Sequence, residues 1–479
     1  MKVLYVASEC APFIKTGGLA DVIGAVPKAL KPLGVDLKIL LPAYPALSDI
    51  LASGRSVCTC DDLFGGPAEV VEAKTEGLSL LLLDATHLYD RPGSIYLDET
   101  GHDWHDNHLR FGALCRVAAD IANDGAGAWT PDIVHAHDWQ AGLTPLMIEL
   151  DDLPNPPATI ITVHNVAFQG LFPWQEKDTF GIPDEHFTHE GAEYWGKLGF
   201  LKAGLSYADA ITTVSPTYAR ELLTPEFGMG LEGVFQNRHD DLHGIINGID
   251  LDTWNPKTDP HLAKNYTSRS LDRKAINRAA LAERFGLDDS DGPLFCVVSR
   301  LTEQKGLDVL FEALPTLVEQ GGQIAILGSG NSDLEEAFRQ AQERYAGQVG
   351  TIIGYDEPLS HLMQGGSDAI LVPSRFEPCG LTQLYGLRYG TLPVVAKTGG
   401  LADTVSDVSE ETIRKKTATG FTCEPGNVEG LRDAISRACK AYGDRDLWRQ
   451  LQKNAMRQMV GWEKSAKAYL ALYHHLVSA

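Results

Sequence analysis

The sequence predicts an α/β protein of two doubly wound domains, and three observations carry that expectation. The chain has 479 residues, more than one hydrophobic core usually serves. Short runs of Val, Ile and Leu recur along it without polar alternation, the pattern of strands buried on both faces of a parallel sheet. Helical patterns separate those runs, and the whole series occurs twice.

In the first half the runs lie at 2–7, 35–40, 78–83, 133–136, 159–163 and 210–214. In the second they lie at 294–299, 323–327, 351–353, 369–372 and 394–396. Gly, Pro or Asp bounds each run, and helices are expected between them, for example at 307–317, 332–346 and 428–442. The turn-rich stretch Asn247-Gly248-Ile249-Asp250, followed by Trp254-Asn255-Pro256, marks the joint. The expected domains are 1–246 and 247–456. A last helical stretch at 462–476, in a tail of about 457–479, is assigned to the first domain as an option that sequence does not decide.

Composition narrows the function. Hydrophobic residues make up 44% and charged residues 22%, the balance of an ordinary globular enzyme. Lys and Arg total 41 against 64 Asp and Glu, a net charge of −23, and the longest basic run is only Arg414-Lys415-Lys416. A phosphate-backbone binder needs a positive face, so nucleic acid is not expected as a partner. Six of the eight cysteines sit among apolar neighbours, and Cys58-Thr-Cys60 has no second pair to complete a zinc site. The short apolar start before Glu9 fits neither a signal nor a transit peptide. The longest aliphatic stretch, 80–83 with Leu78, is far below the ~20 residues that span a bilayer. A cytoplasmic protein without a membrane partner is expected.

Lys15-Thr-Gly-Gly-Leu-Ala-Asp21 recurs letter for letter at 397–403. Two glycines at a strand-to-helix turn allow backbone N–H groups to approach an anion, and Lys15 adds a charge suited to phosphate. A plain structural turn is the other explanation, stronger for the second copy. Arg300 and Lys305 follow the 294–299 run and flank a helix start, an arrangement suited to a diphosphate; Glu303 and Asp308 would otherwise pair with them. Glu377 lies between a strand end and a Pro-Cys-Gly turn, where it can accept from a sugar hydroxyl. The N–H groups of Cys379, Gly380, Leu381 and Thr382 are helix-start donors for sugar hydroxyls or phosphate. Trp139 and Tyr355 are candidates for stacking on a sugar and on a base. His135-Ala-His137-Asp138 could suggest a metal, but no remote ligand set accompanies it. His102, His105 and His108 are expected in a solvated polar segment. The string Gly328-Ser329-Gly330 is a weak dinucleotide fingerprint, and no Gly-x-Ser-x-Gly elbow occurs.

In chain order, the motif of residues 15–21, His137-Asp138-Trp139, Val163-His164-Asn165, Asn247-Gly248-Ile249-Asp250, Ser299-Arg300-Leu301 with Lys305-Gly306, and Ser374-Arg375-Phe376-Glu377-Pro378-Cys379-Gly380-Leu381 resemble the bacterial glycogen synthases and the related plant starch synthases. The resemblance implies the GT-B architecture, two Rossmann-like domains facing across a cleft. It implies a retaining glucosyltransferase that moves glucose from ADP-glucose to the non-reducing 4-hydroxyl of an α-1,4-glucan, with no metal or cofactor. Glu377, His164, Arg300, Lys305 and Asp138 would be catalytic. Lys15, Gly17, Gly18, Asp21, Asn247, Ser299, Tyr355, Cys379, Gly380, Leu381 and Thr382 would bind the donor, and Trp139 and His137 the acceptor. The backbone carbonyl of His164 would assist a leaving-group oxygen that takes the acceptor proton. Related retaining enzymes carry a second glutamate eight residues after Glu377; here Tyr385 stands there. A UDP-glucose-dependent enzyme, or a non-catalytic glycan binder on the same scaffold, is the alternative.

Overall fold

The computed structural model describes residues 1–478. Residues 1–214, 219–245 and the segment from 462 onward form one unit, and 215–218 with 246–461 form the other.

The first unit is built on a mixed sheet. Its strands are β1 (Lys2–Val6), β2 (Asp36–Pro42), β3 (Arg55–Cys60), β4 (Ala68–Thr75), β5 (Leu78–Asp84), β6 (Ile133–His137) and β7 (Ala158–Val163). Next come β8 (Leu171–Pro173), β9 (Glu193–Tyr194) and β10 (Lys197–Gly199), which make a small antiparallel sheet of their own. β11 (Ala210–Thr213) and β12 (Leu242–Gly244) complete the large sheet, in the order β12-β11-β7-β6-β1-β2-β5-β4-β3. All six expected runs are strands here, and they pair in parallel. The added pair β3 and β4 runs antiparallel beyond β5, so this sheet is not parallel throughout. A search for continuous apolar runs passes these two over for a physical reason. β4 interrupts its buried positions with partly buried and exposed ones, and β3, at the edge, has no buried residue.

The second unit holds β13 (Leu294–Val298), β14 (Gln323–Gly328), β15 (Val349–Ile353), β16 (Ala369–Val372), β17 (Leu392–Ala396) and β18 (Phe421–Cys423). The sheet is parallel, in the order β15-β14-β13-β16-β17-β18. Counted from its own first strand this is the 3-2-1-4-5-6 order of the dinucleotide-binding fold, with the reversal between β13 and β16. Its two faces explain the unbroken apolar runs. Phe295, Val297, Ile324 and Ile326 enter one core while Leu294, Cys296, Ala325 and Leu327 enter another, so neighbouring residues are buried on opposite sides. Full burial of each such Leu, Ile, Val or Phe side chain contributes about 1.5–3 kcal/mol.

The C-terminal helix Glu463–Ser478 belongs to the first unit. Tyr473 Oη lies 2.8 Å from Tyr5 Oη on β1 and 2.9 Å from His135 Nδ1 on β6. Of the cysteines, Cys10, Cys115, Cys296 and Cys379 are buried, Cys423 and Cys439 pack partly buried on a core, and all eight are free thiols.

Candidate functional site

In the second unit the candidate residues gather after β13 and β16, on either side of the reversal, where open parallel sheets hold ligands. Gly306 makes this possible. Its φ is +66°, and a Cβ there would come within 1.9 Å of the Pro373 carbonyl oxygen, so only glycine lets the two loops meet. Lys305 next to it donates from Nζ to Glu377 Oε2 at 2.6 Å, and Ser374 Oγ donates to the same oxygen at 2.9 Å. Glu377 is 7% exposed, a carboxylate fixed by two donors from two loops. Asp308, offered above as a partner for Arg300 or Lys305, is gripped by Arg375 through two 2.6 Å bonds instead. Arg375 also donates to the Glu303 carbonyl, which locks the loops together. Arg300 itself is exposed.

The second copy of the repeated heptapeptide lies under Glu377. Gly399 has φ +44°, and its missing side chain admits the Glu377 carbonyl, while Gly400 admits that of Cys379. Gly400 N–H donates to Glu377 O and Pro378 O, at 3.2 and 3.1 Å. This copy therefore packs backbone on backbone rather than cradling an anion. Gly328 and Gly330 likewise admit the carbonyls of Ser299 and Leu301, which accounts for that glycine pair without a dinucleotide. Gly380 has φ +71° and leads into the helix Thr382–Tyr389, which opens without a side-chain cap. Asn247 is buried with its Oδ1 lacking a partner among the described residues. Burial pushes the Cys379 thiol up to about 12, so it is no nucleophile near neutrality.

Tyr355, just past β15, is 78% exposed and donates its hydroxyl to Glu357 at 2.6 Å, leaving its ring at the surface. Tyr385 is spent inside. Its ring stacks on Trp254 at 3.6 Å between centroids, and Trp254 stacks on His361 at 3.8 Å. The position where related enzymes carry a glutamate is thus a packing position here.

In the first unit, β1 and β6 flank the corresponding reversal. Glu9, which the sequence did not single out, follows β1. It accepts from Thr16 N and Thr16 Oγ1 at 2.6 Å each, from Gly17 N at 3.2 Å and from Tyr96 Oη at 2.5 Å. The Gly17 N–H expected to meet a ligand anion is therefore engaged by the chain's own carboxylate. Gly18 opens the helix Gly18–Leu30, and Lys15 pairs with Asp21 at 2.9 Å.

After β6 come the remaining candidates. Trp139 is 8% exposed and packed by Phe111, Phe172 and Phe200, with Gly170 hard against its face. The ring is thus engaged by aromatic side chains of its own unit. His137 is fully buried, stacked 4.4 Å from His135 and bonded through Nδ1 to His164 Nε2 at 3.1 Å. It holds His164 through Nδ1, while its buried Nε2 has no partner among the described residues. His135 engages both ring nitrogens, with Tyr473 and Thr162 Oγ1. Burial drives His135 and His164 down to about 3 and His137 lower as well, so all three rings are neutral near pH 7. Asp138, at φ +57°, accepts from His164 N at 2.7 Å, and desolvation lifts its carboxyl to about 7. Of the histidines at 102, 105 and 108, only His108 enters a helix, Asn107–Asp124.

One mixed sheet with a parallel core and one parallel sheet, each with polar residues at its strand reversal, match the GT-B class of glycosyltransferases. The model of the starch synthase catalytic domain matches residues 2–237, and that of glycosyl transferases group 1 matches 282–458. The glycogen synthase of Roseobacter denitrificans is 59% identical over 478 residues, covering 100% of both chains. Glycogen synthase 1 of Rhizobium meliloti is 52% identical, again over the whole of both. Among solved structures, the catalytic domain of Arabidopsis thaliana starch synthase IV, bound to ADP and acarbose, matches with a TM-score of 0.87 and 31% identity, covering 100% of this chain and 99% of that one. The sucrose-phosphate synthase of Thermosynechococcus elongatus shares the fold at a TM-score of 0.62 and 18% identity, covering 100% of this chain and 99% of that one. The chain belongs to the glycogen and starch synthase family of glucosyltransferases, enzymes of glycogen elongation.

Proposed function

We propose that the chain transfers glucose from ADP-glucose to the non-reducing 4-hydroxyl of an α-1,4-glucan with retention. The observation that carries this reading is the Lys305–Glu377 pair, which joins the ends of β13 and β16 with Arg300 on the same loop. Relatives named glycogen synthase, and a starch synthase seen with ADP and acarbose, support the choice of donor and acceptor.

Lys305 and Arg300 neutralise the departing diphosphate, the step at which charge develops. Glu377, held by Lys305 and Ser374, accepts from hydroxyls of the glucosyl unit, as do Asp138 and the side chain of Asn247. The N–H groups of Cys379, Gly380, Leu381 and Thr382 bind the donor's hydroxyls and phosphate, with Ser299 beside them, and Tyr355 stacks on adenine. Lys15, Gly17, Gly18 and Asp21 are carried as donor contacts on resemblance alone. The bond from the anomeric carbon to phosphate breaks, and the acceptor oxygen bonds to that carbon on the same face. The acceptor's proton passes to the leaving phosphate oxygen, with the His164 carbonyl assisting. Eight free thiols support a reducing, cytoplasmic setting.

The test supplies ADP-glucose and UDP-glucose separately with glycogen and follows nucleoside diphosphate release. Release with ADP-glucose is expected. Release with UDP-glucose alone transfers the reading to a uridine-specific enzyme, and release with neither leaves a glycan binder.

A further inference from the structure

A cavity of about 190 Å³ opens in the second unit among residues 271–278, 366–368 and 442–452. It lies away from the residues discussed above. Asp368 lines it and precedes β16, whereas Ser374 and Glu377 follow that strand. Four residues at about 3.3 Å each put about 13 Å of strand between them.

The cavity is basic in an acidic protein. Lys274, Arg278, Arg445 and Arg449 line it against Asp272 and Asp368, four cations to two carboxylates, in a chain whose net charge is −23. Arg278 is committed to Asp368 at 2.5 Å, and Arg449 pairs with Asp272. The other two cations have no ion pair among the described residues. Arg445 lies over the Tyr442 ring at 4.3 Å. Lys274 is 6% exposed, and its ammonium meets only neutral oxygens: Thr391 Oγ1 at 2.9 Å, Gly365 O at 3.0 Å, Gln364 O and Tyr266 Oη at 3.3 Å, and Tyr389 O at 3.4 Å. A buried cation with no paired carboxylate is unfavourable; desolvation lowers Lys274 to about 8, the attraction of Asp368 opposing it, so it stays charged at neutrality. Trp448 also lines the cavity, and its buried indole N–H has no acceptor among the described residues.

We propose that this cavity binds a phosphate dianion, free or carried by a small metabolite, between Arg445, Arg449 and the Trp448 N–H, with Lys274 supplying charge behind them. Guanidinium forks match phosphate oxygens, and an anion completes the charge and the indole donor together. At about 190 Å³ the cavity is smaller than the roughly 300–1,000 Å³ of pockets for drug-sized ligands, which suits phosphate or a small phosphate ester.

The test titrates the full chain with inorganic phosphate and, separately, with a hexose monophosphate, reading heat and tryptophan emission. Saturable binding with a Kd of about 1 mM or tighter is expected for at least one of the two, unchanged in Lys305→Ala, so that the site for the donor is not the one observed. Arg445→Ala should weaken it by about tenfold or more, and Trp448→Phe should abolish the emission change. Glucan synthesis without added phosphate should be unchanged in Arg445→Ala, which shows that this variant folds. Equal binding of both probes assigns the site to phosphate itself, and binding of the hexose phosphate alone assigns it to a metabolite. Absence of saturable binding, or binding lost in Lys305→Ala and kept in Arg445→Ala, overturns the proposal.

Discussion

Replacing Lys305 by alanine should damage stability and turnover together, whereas Arg300→Ala should damage turnover alone. Lys305 Nζ is 2.6 Å from Glu377 Oε2, and the side chains are only 20% and 9% exposed. Without the ammonium, Glu377 keeps a single side-chain donor, Ser374. Loss of a hydrogen bond to a charged, mostly buried group costs about 2 kcal/mol. For a domain of this size each kcal/mol lowers Tm by about 2–4 °C, so a drop of about 4–8 °C is expected. The exposed Arg300 should change stability by less than about 0.5 kcal/mol. In turnover each variant loses a cation aimed at the leaving group, comparable to losing an oxyanion donor, about 10²–10³ in kcat. The assay pairs thermal melts with nucleoside diphosphate release at saturating donor and glycogen. Near-normal kcat in both variants removes the pair from the leaving group. Lys305→Ala melting like the parent would show that the contact with Glu377 contributes nothing to the fold.

Three further outcomes follow from the same geometry. Gly306→Ala places a Cβ 1.9 Å from the Pro373 carbonyl at a φ of +66°. It should cost about 1–3 kcal/mol and lower kcat by separating Lys305 from Glu377, and a parent-like melt would refute the steric argument. The neutral histidines at 135, 137 and 164 must take up protons on unfolding, because their folded values lie below the ordinary one. Stability should therefore fall as pH drops below about 6.5, with at most about three protons taken up on their account; urea midpoints that stay flat from pH 7 to 5 would contradict this. Asp138 works the other way. With its folded value raised to about 7, the native state holds its proton longer, and stability is lost as pH rises from about 4 through 7. Asp138→Asn should thus raise Tm at pH 8 more than at pH 5, and an equal shift at both would exclude a raised carboxyl.

The sequence alone determined the layers and the inner strands of both sheets except β4, whereas β4 and the edge strands β3, β12 and β18 left no continuous apolar run. Residues such as Phe295 and Cys296 are both apolar because a parallel strand covered by helices buries both faces, and that leaves a signal in the chain itself. It also exposed the chemistry at strand ends, since Arg300 directly follows an apolar run and Lys305 and Glu377 lie in the loops after such runs. Only the tertiary structure decided which groups meet. That Lys305 takes Glu377 while Arg375 takes Asp308 depends on two loops about 70 positions apart approaching at Gly306. The fate of Trp139, the engagement of Gly17 by Glu9 and the packing role of the second Lys-Thr-Gly-Gly copy depend on neighbours from distant segments. Local spacing encodes which face a side chain leaves from, but what it finds there is set by contacts that no short stretch of sequence contains.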